Sequence, residues 1–148
     1  MIRMMTIKDY DALFSLWSST PNMGLRGLDD SKEGIKRFLD RNPGTCFAAC
    51  ENEGLVGAIL SGHDGRRGYI YHTAVLAEYR GRGIGSALVE AAVEALRWEG
   101  ITRVCLNIME SNERGKAFWT RRGWEKKEFL EFYSKAITDL DNPPLFKV

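Results

Sequence analysis

Cysteine is scarce in this chain: three in 148 residues, at Cys46, Cys50 and Cys105. An odd, scattered set makes no disulfide framework. Cys46 and Cys50 fall within one short predicted strand, where the geometry of a bridge is sterically unsuitable. The three read as buried structural thiols, which places the chain in a reducing compartment, the cytoplasm. Histidine is scarcer still, with only His63 and His72. Their spacing suits no metal site, so no metal is expected. No apolar run approaches the roughly 18 residues of a membrane span. The opening Met1-Ile-Arg-Met-Met-Thr6 lacks the apolar core and cleavage site of a signal peptide. Charge excess is missing as well: 21 basic against 20 acidic residues leave a formal +1. Nothing therefore draws the whole chain toward nucleic acid or a membrane. Repeats and low-complexity linkers are also absent.

What is present is ordinary for one globular core: 44% hydrophobic and 28% charged residues. The expectation is a single domain spanning 1–148. Thr6 to Ser18 reads as a helix with Thr6 as N-cap and Asp9 three residues later, burying Tyr10, Leu13, Phe14 and Trp17. Ser19 to Asp29, with Pro21, Gly24 and Gly27, is a loop. Ser31 to Arg41 is a second helix, with Ile35, Phe38 and Leu39 inward and Asn42-Pro43-Gly44 as its stop. Strands at Thr45–Glu51, Leu55–Ser61 and Tyr69–Leu76 are separated by short polar turns and should run antiparallel. A long helix follows from about Gly83 to Glu99, capped by Gly100, then a strand at Thr102–Met109. A helix at Asn112–Arg122 and closing strands at Trp124–Glu128 and Leu130–Ile137 complete the order, with a short strand at Met1–Met5 before it. The tail from Asp139 shows no regular pattern. This is an α/β chain whose strands at Tyr69–Leu76 and Thr102–Met109, joined by a helical crossover, should be parallel neighbours.

The densest signal is Arg80-Gly-Arg-Gly-Ile-Gly-Ser86, at the junction of a strand and a helix. Glycines let a backbone turn tightly and approach a ligand without a Cβ in the way. The first N–H groups of a helix have no intrahelical partner and carry its positive end. Arg80, Gly81, Arg82, Gly83, Ile84, Gly85 and Ser86 therefore form a candidate phosphate site. A dinucleotide fingerprint would need its first βαβ unit here and an acid about 20 residues on. Three antiparallel strands precede the turn instead, and Asn107 follows. A nucleoside-triphosphate loop would need Gly-Lys-Ser/Thr, which is absent.

Three motifs in this order resemble the GNAT superfamily of acyl-CoA-dependent N-acetyltransferases. They are Arg80-x-x-Gly83-x-Gly85, Glu110-Ser-Asn112 at a helix start, and Gly123-Trp124 after that helix. The likeness spans roughly Met1 to Ile137 and looks closest to the small bacterial ribosomal-protein-alanine acetyltransferases. It implies a mostly antiparallel central sheet, a splayed parallel pair in its middle, and helices on both faces. It also implies acetyl-CoA as cosubstrate: pyrophosphate on the 81–86 turn, and the pantetheine arm along Thr73, Ala74 and Val75. Asn112 and Trp119 would lie near its thiol. An amine would attack directly, without a covalent enzyme intermediate.

The catalytic positions depart from the family pattern. Trp119 stands where members often carry a tyrosine acid. Asn107 and Tyr69 stand where two branches carry a glutamate base. The remaining candidates for moving protons are His72, Tyr71, Tyr69 and Glu110. By strand alternation Tyr69 and Tyr71 share one face and Ile70 and His72 the other. The expected acceptor is a peptide α-amine or a small amine, shaped by the Ser19–Asp29 loop, with monomer and homodimer both open. A module that binds acyl-CoA without turnover is the alternative.

Overall fold

The computed structural model describes residues 1–52 and 54–145. It falls into two compact units, Met1–Leu106 with Asn142–Val148, and Asn107–Asp141.

The larger unit is built on a five-stranded sheet of order β1-β2-β3-β4-β5. The strands are β1 (Ile2–Met4), β2 (Phe47–Glu51), β3 (Gly54–His63), β4 (Gly68–Val75) and β5 (Val104–Leu106). The first four pair antiparallel in sequence, and β4 pairs β5 in parallel. The helices are α1 (Tyr10–Ser18), α2 (Lys32–Arg41) and α3 (Ile84–Trp98). A 3-10 turn at Ile7–Asp9 leads into α1, and the Thr6 N–H donates to Asp9 Oδ2 at 2.9 Å, as the capping pattern implied. Ser31 caps α2 by accepting from the Gly34 N–H at 3.0 Å. Gly100, with φ of 85°, lets the chain turn off α3, and the Ile101 N–H reaches back to the Leu96 carbonyl.

The sheet separates two apolar layers. On one side Leu13, Leu16 and Trp17 of α1 and Ile35 of α2 pack with Ala58, Leu60 and Ala74. Each fully buried side chain of this size contributes about 1.5–3 kcal/mol. On the other side α3 covers the sheet: Leu88 and Ile84 lie where a Cβ on Gly57 would point, and Leu96 where one on Gly68 would.

Three expectations need correction. First, Trp124–Glu128 and Leu130–Ile137 are not strands. Among the described residues they enter no ladder, and Phe129, Leu130, Phe132, Tyr133 and Ile137 are exposed. Alternation marks residues suited to a pleated surface, but the ladder bonds come from a neighbour that alternation does not specify. The parallel pair consequently stands at the end of the sheet rather than in its middle.

Second, the strand expected over Thr102–Met109 is confined to Val104–Leu106. It pairs only with Gly68–Ile70, so β4 runs on through Tyr71–Val75 without it.

Third, His72 does not share the face of Ile70. The register between β3 and β4 steps from Ala58↔Ala74 to Leu60↔Tyr71, so His72 and Thr73 together oppose Ile59. This is a β-bulge, and His72 carries its strain with φ of 44°, in the left-handed region. The extra residue resets the alternation. Tyr71 meets Phe38 of α2, and His72 meets Trp17 of α1, on the same side of the sheet.

The tail also does more than its composition suggested. Asn142 Oδ1 accepts from the Leu28 and Asp29 N–H groups at 2.8 and 3.1 Å, and its amide donates to Asp29 Oδ2. Gly27 N–H donates to the Pro143 carbonyl, and Leu145 N–H to that of Leu25. The tail thus straps the loop that precedes α2.

The smaller unit holds α4 (Glu113–Arg121). Asn112 caps it by accepting from the Gly115 N–H at 2.9 Å. Trp119 stacks edge-on against Phe118 and Trp124, at centroid distances of 5.1 and 5.0 Å.

Candidate functional site

The site grows out of the second half of β4. Leu76 N–H donates to the Val56 carbonyl at 2.8 Å, facing β3. Backbone groups alternate along a strand, so the N–H and C=O of Val75 face the opposite edge. That edge is the one β5 leaves after Ile70. The Val75 carbonyl accepts from Arg80 Nε at 3.0 Å, so the arginine ties the strand end to the turn that follows.

The turn passes through a 3-10 segment at Ala77–Tyr79 and then Gly81 and Gly83, with φ of 77° and 82°. L side chains rarely adopt such angles, and nothing lies within 4 Å of where a Cβ would project at either glycine. Open space therefore surrounds a bare backbone at the entry to α3. The first intrahelical bond runs from Ala87 N–H to the Gly83 carbonyl. N–H groups before that point lie at the positive end of the helix. Arg82 folds back, donating to the Glu78 carbonyl and resting over the Tyr79 ring at 5.0 Å.

The bulge faces a second cluster. His72 Nε2 lies 2.7 Å from Asp30 Oδ1. Asp30 is 4% exposed, and its other oxygen accepts from the Arg26 N–H at 2.7 Å. Trp17 packs edge-on against the imidazole at 5.1 Å. Tyr10 donates from its hydroxyl to the Asp30 carbonyl, and burial followed by the Asp30 charge holds its phenol above the usual range. Gly34 makes the arrangement fit. A Cβ there would meet the Asp29 and Leu28 carbonyl oxygens at 2.3 and 2.5 Å, so only glycine lets this loop sit on the first turn of α2. Tyr69 and Tyr71 stack on each other as a partly open shelf beside Phe38, Tyr71 being 44% exposed. Burial, then Tyr69, raises the Tyr71 phenol.

Of the sequence candidates, Tyr69, Tyr71, His72, Thr73, Ala74, Val75 and the 80–86 turn come together in the larger unit. Glu110, exposed, and Asn112 and Trp119, a helix cap and an aromatic packing residue, belong to the smaller one. His63 and Asp64 form a turn: His63 pairs with Glu99 at 2.9 Å, and Asp64 accepts from the Arg66 and Arg67 N–H groups. Those backbone donors hold the Asp64 carboxyl below its usual range.

The sequence reading missed Asp30, Trp17 and Phe38 as parts of this site. Asp30 falls between the expected Ser19–Asp29 loop and the Ser31–Arg41 helix, and the two aromatics read as core. The available signal was a carboxylate directly before the Ser31 cap, close enough to α2 to be buried with it. Elsewhere, a depression of about 310 Å³ is lined by Met5, Leu39, Asn42 and Cys46 among others, and by no residue of β4 or the 80–86 turn. Burial pushes the Cys46 thiol up to about 12, which leaves it unreactive.

Residues 10–124 match the model of the acetyltransferase (GNAT) family. An acetyltransferase of Pectobacterium atrosepticum is 28% identical over 138 residues, covering 93% of this chain and 96% of that protein. Among solved structures, an N-acetyltransferase from Thermoplasma acidophilum in complex with coenzyme A superposes with a TM-score of 0.75 at 19% identity, over 86% of this chain and 90% of that one. A ribosomal-protein-alanine N-acetyltransferase from Brucella melitensis gives 0.67 at 19% identity, over 93% and 97%. At such identities the likeness is one of fold.

Proposed function

The chain belongs to the GNAT acetyltransferase family, and from that premise we propose that it transfers an acetyl group from acetyl-CoA to a primary amine. The observation that carries the proposal is the open edge of β4 over Tyr71–Val75, leading directly into a bare glycine turn at the start of a helix. The residues present fit the cosubstrate. Backbone N–H groups of the 81–86 segment, with Arg82 beside them, suit a pyrophosphate. The Thr73–Val75 edge suits the amides of a pantetheine arm, which can pair as an added strand. Acetyl-CoA supplies the activated thioester.

Around that thioester the chain's own groups do three things. The outward N–H of Val75 is placed to stabilise charge developing on a carbonyl oxygen. His72, on the bulge three residues earlier, is the group best suited to take a proton from the incoming ammonium. A lysine-like amine with a pKa near 10.4 or an α-amine near 8 must lose that proton before attack. Tyr71 keeps its proton at neutral pH, and a CoA thiol resembles free cysteine with a pKa of about 8.5, so the leaving sulfur needs little help. The balanced reaction joins R–NH3⁺ and acetyl-S-CoA to give R–NH–acetyl, HS-CoA and one proton to solvent. The shelf of Tyr69, Tyr71 and Phe38 favours an acceptor with an apolar or aromatic body next to its amine, a peptide N-terminus or a small amine. The free thiols suit a reducing compartment such as the cytoplasm.

Calorimetric titration with acetyl-CoA, with NAD and ATP as controls, tests the cofactor assignment. Thiol release over a panel of amines and peptides tests the transfer. Micromolar binding with release supports the proposal. Binding without release on any acceptor favours the non-catalytic acyl-CoA module instead, and no binding overturns the reading of the 80–86 turn.

A further inference from the structure

We infer that Asp30 is the positioning residue of His72, holding the imidazole so that Nδ1 is the nitrogen that accepts the proton from the acceptor amine. The inference rests on the acetyltransferase reading for its chemistry but on geometry for its assignment.

Asp30 uses both carboxylate oxygens as acceptors, one from the Arg26 N–H at 2.7 Å and one facing His72 Nε2 at 2.7 Å. An ionised carboxylate only accepts, so the neutral ring must carry its hydrogen on Nε2 and its lone pair on Nδ1. Among the described residues, the fully buried side-chain polar atoms without a partner are Trp17 Nε1 and Thr73 Oγ1. His72 Nδ1 is not one of them, and among the described residues no hydrogen bond to it is present; the side chain is 14% exposed, which leaves Nδ1 free to meet solvent or an incoming amine. A histidine held in the left-handed region at a bulge carries a cost in backbone strain. The cost persists because Trp17 fixes one side of the ring and Asp30 its far nitrogen.

Asp30 is itself held from three directions: the Arg26 N–H, the Tyr10 hydroxyl on its carbonyl, and the tail strap on Leu28 and Asp29. Among the described residues, the titratable group in contact with the imidazole is Asp30 from the loop; Tyr10 of α1 is joined to it through the Asp30 carbonyl, with Glu33 of α2 acting on Tyr10, and Tyr71 of β4 is the chain neighbour of His72. In the step assigned here, R–NH3⁺ gives one proton to Nδ1 and becomes R–NH2. The doubly protonated ring then returns that proton to solvent.

The test combines nuclear magnetic resonance with kinetics on wild type, Asp30→Asn, Asp30→Ala, His72→Ala and the Asp30→Asn/His72→Ala double variant. Wild type should show a downfield, exchange-protected Nε2–H resonance from His72 that Asp30→Ala removes. Asp30→Asn should lower kcat by about tenfold to a hundredfold, leave KM for acetyl-CoA unchanged, and move the acid limb of the pH profile to lower pH as the negative neighbour is lost. In the His72→Ala background the same substitution should cost nothing further in kcat. A missing wild-type resonance, or an equal kcat loss from Asp30→Asn in both backgrounds, overturns the assignment. Absence of turnover in wild type with every acceptor defeats the enzymatic reading, while the resonance still decides whether Asp30 holds His72.

Discussion

The two halves of β4 are one strand by sequence and two different objects in space. Gly68–Ile70 is paired on both edges, to β3 and to β5, and Ile70 is buried in the layer under α3. Tyr71–Val75 keeps β3 but loses β5, takes up the bulge, and exposes Tyr71. The first half has a strand partner on each edge and carries stability. The second leaves one edge of backbone donors and acceptors open and stores strain at His72, which suits it to recognise a chain-like ligand and to aim a side chain at it. On the proposed function the strand divides these tasks within eight residues, so substitutions on either side of Ile70 should fail in different ways.

The largest contrast is expected at His72. His72→Ala should lower kcat by about 10²- to 10⁴-fold and flatten the acid limb of the pH–rate profile, with acetyl-CoA affinity by calorimetry nearly unchanged. An unchanged profile would return His72 to the core. In the first half, Ile70→Ala should cost about 3 kcal/mol of stability in urea unfolding and leave kcat intact below the melting range. A selective loss of kcat at full stability would break the division. Gly83→Val forces a branched residue to φ of 82° and places a Cβ in the open space of the turn. It should weaken acetyl-CoA binding by at least about 100-fold, or ~2.7 kcal/mol, and unchanged affinity would sink the cofactor assignment.

A smaller effect should follow from releasing the tail strap. Asn142→Ala removes the bonds to Leu28 and Asp29 and should lower stability by about 1–2 kcal/mol. It should also lower kcat more than the affinity for acetyl-CoA, because the loop it holds carries Asp30. The smallest effect lies well away from β4 in the chain, at Arg3 and Asp9, which pair at 2.7 Å. The Arg3 hydrogen bond holds the Asp9 carboxyl below its usual range. A depressed carboxyl stabilises the fold above its unfolded pKa, near 3.9, and the contribution disappears as pH falls through the lower folded value. With Arg3 partly exposed, about 0.5 kcal/mol is expected. Asp9→Asn should remove that acid-side dependence in unfolding titrations and leave turnover unchanged.

Much of this was legible in one dimension because it depends on near neighbours. The helix caps at Ser31 and Asn112, the glycine turn, and the run of short-turn antiparallel strands are written within a few residues, where local bonding and backbone sterics decide. The family follows from the same local motifs, and its model matches residues 10–124. The tertiary structure decided everything that needs a partner distant in sequence. It shows that Leu130–Ile137 has the alternation of a strand and no ladder among the described residues. It shows that one extra residue in β4 carries His72 across the sheet to Trp17, and that a loop aspartate 42 positions earlier closes on its imidazole. A period of two is blind to an inserted residue, and a charge in a loop does not say what it will be buried against. Those questions are answered only when packing brings distant segments to contact distance and each buried polar group must find its partner.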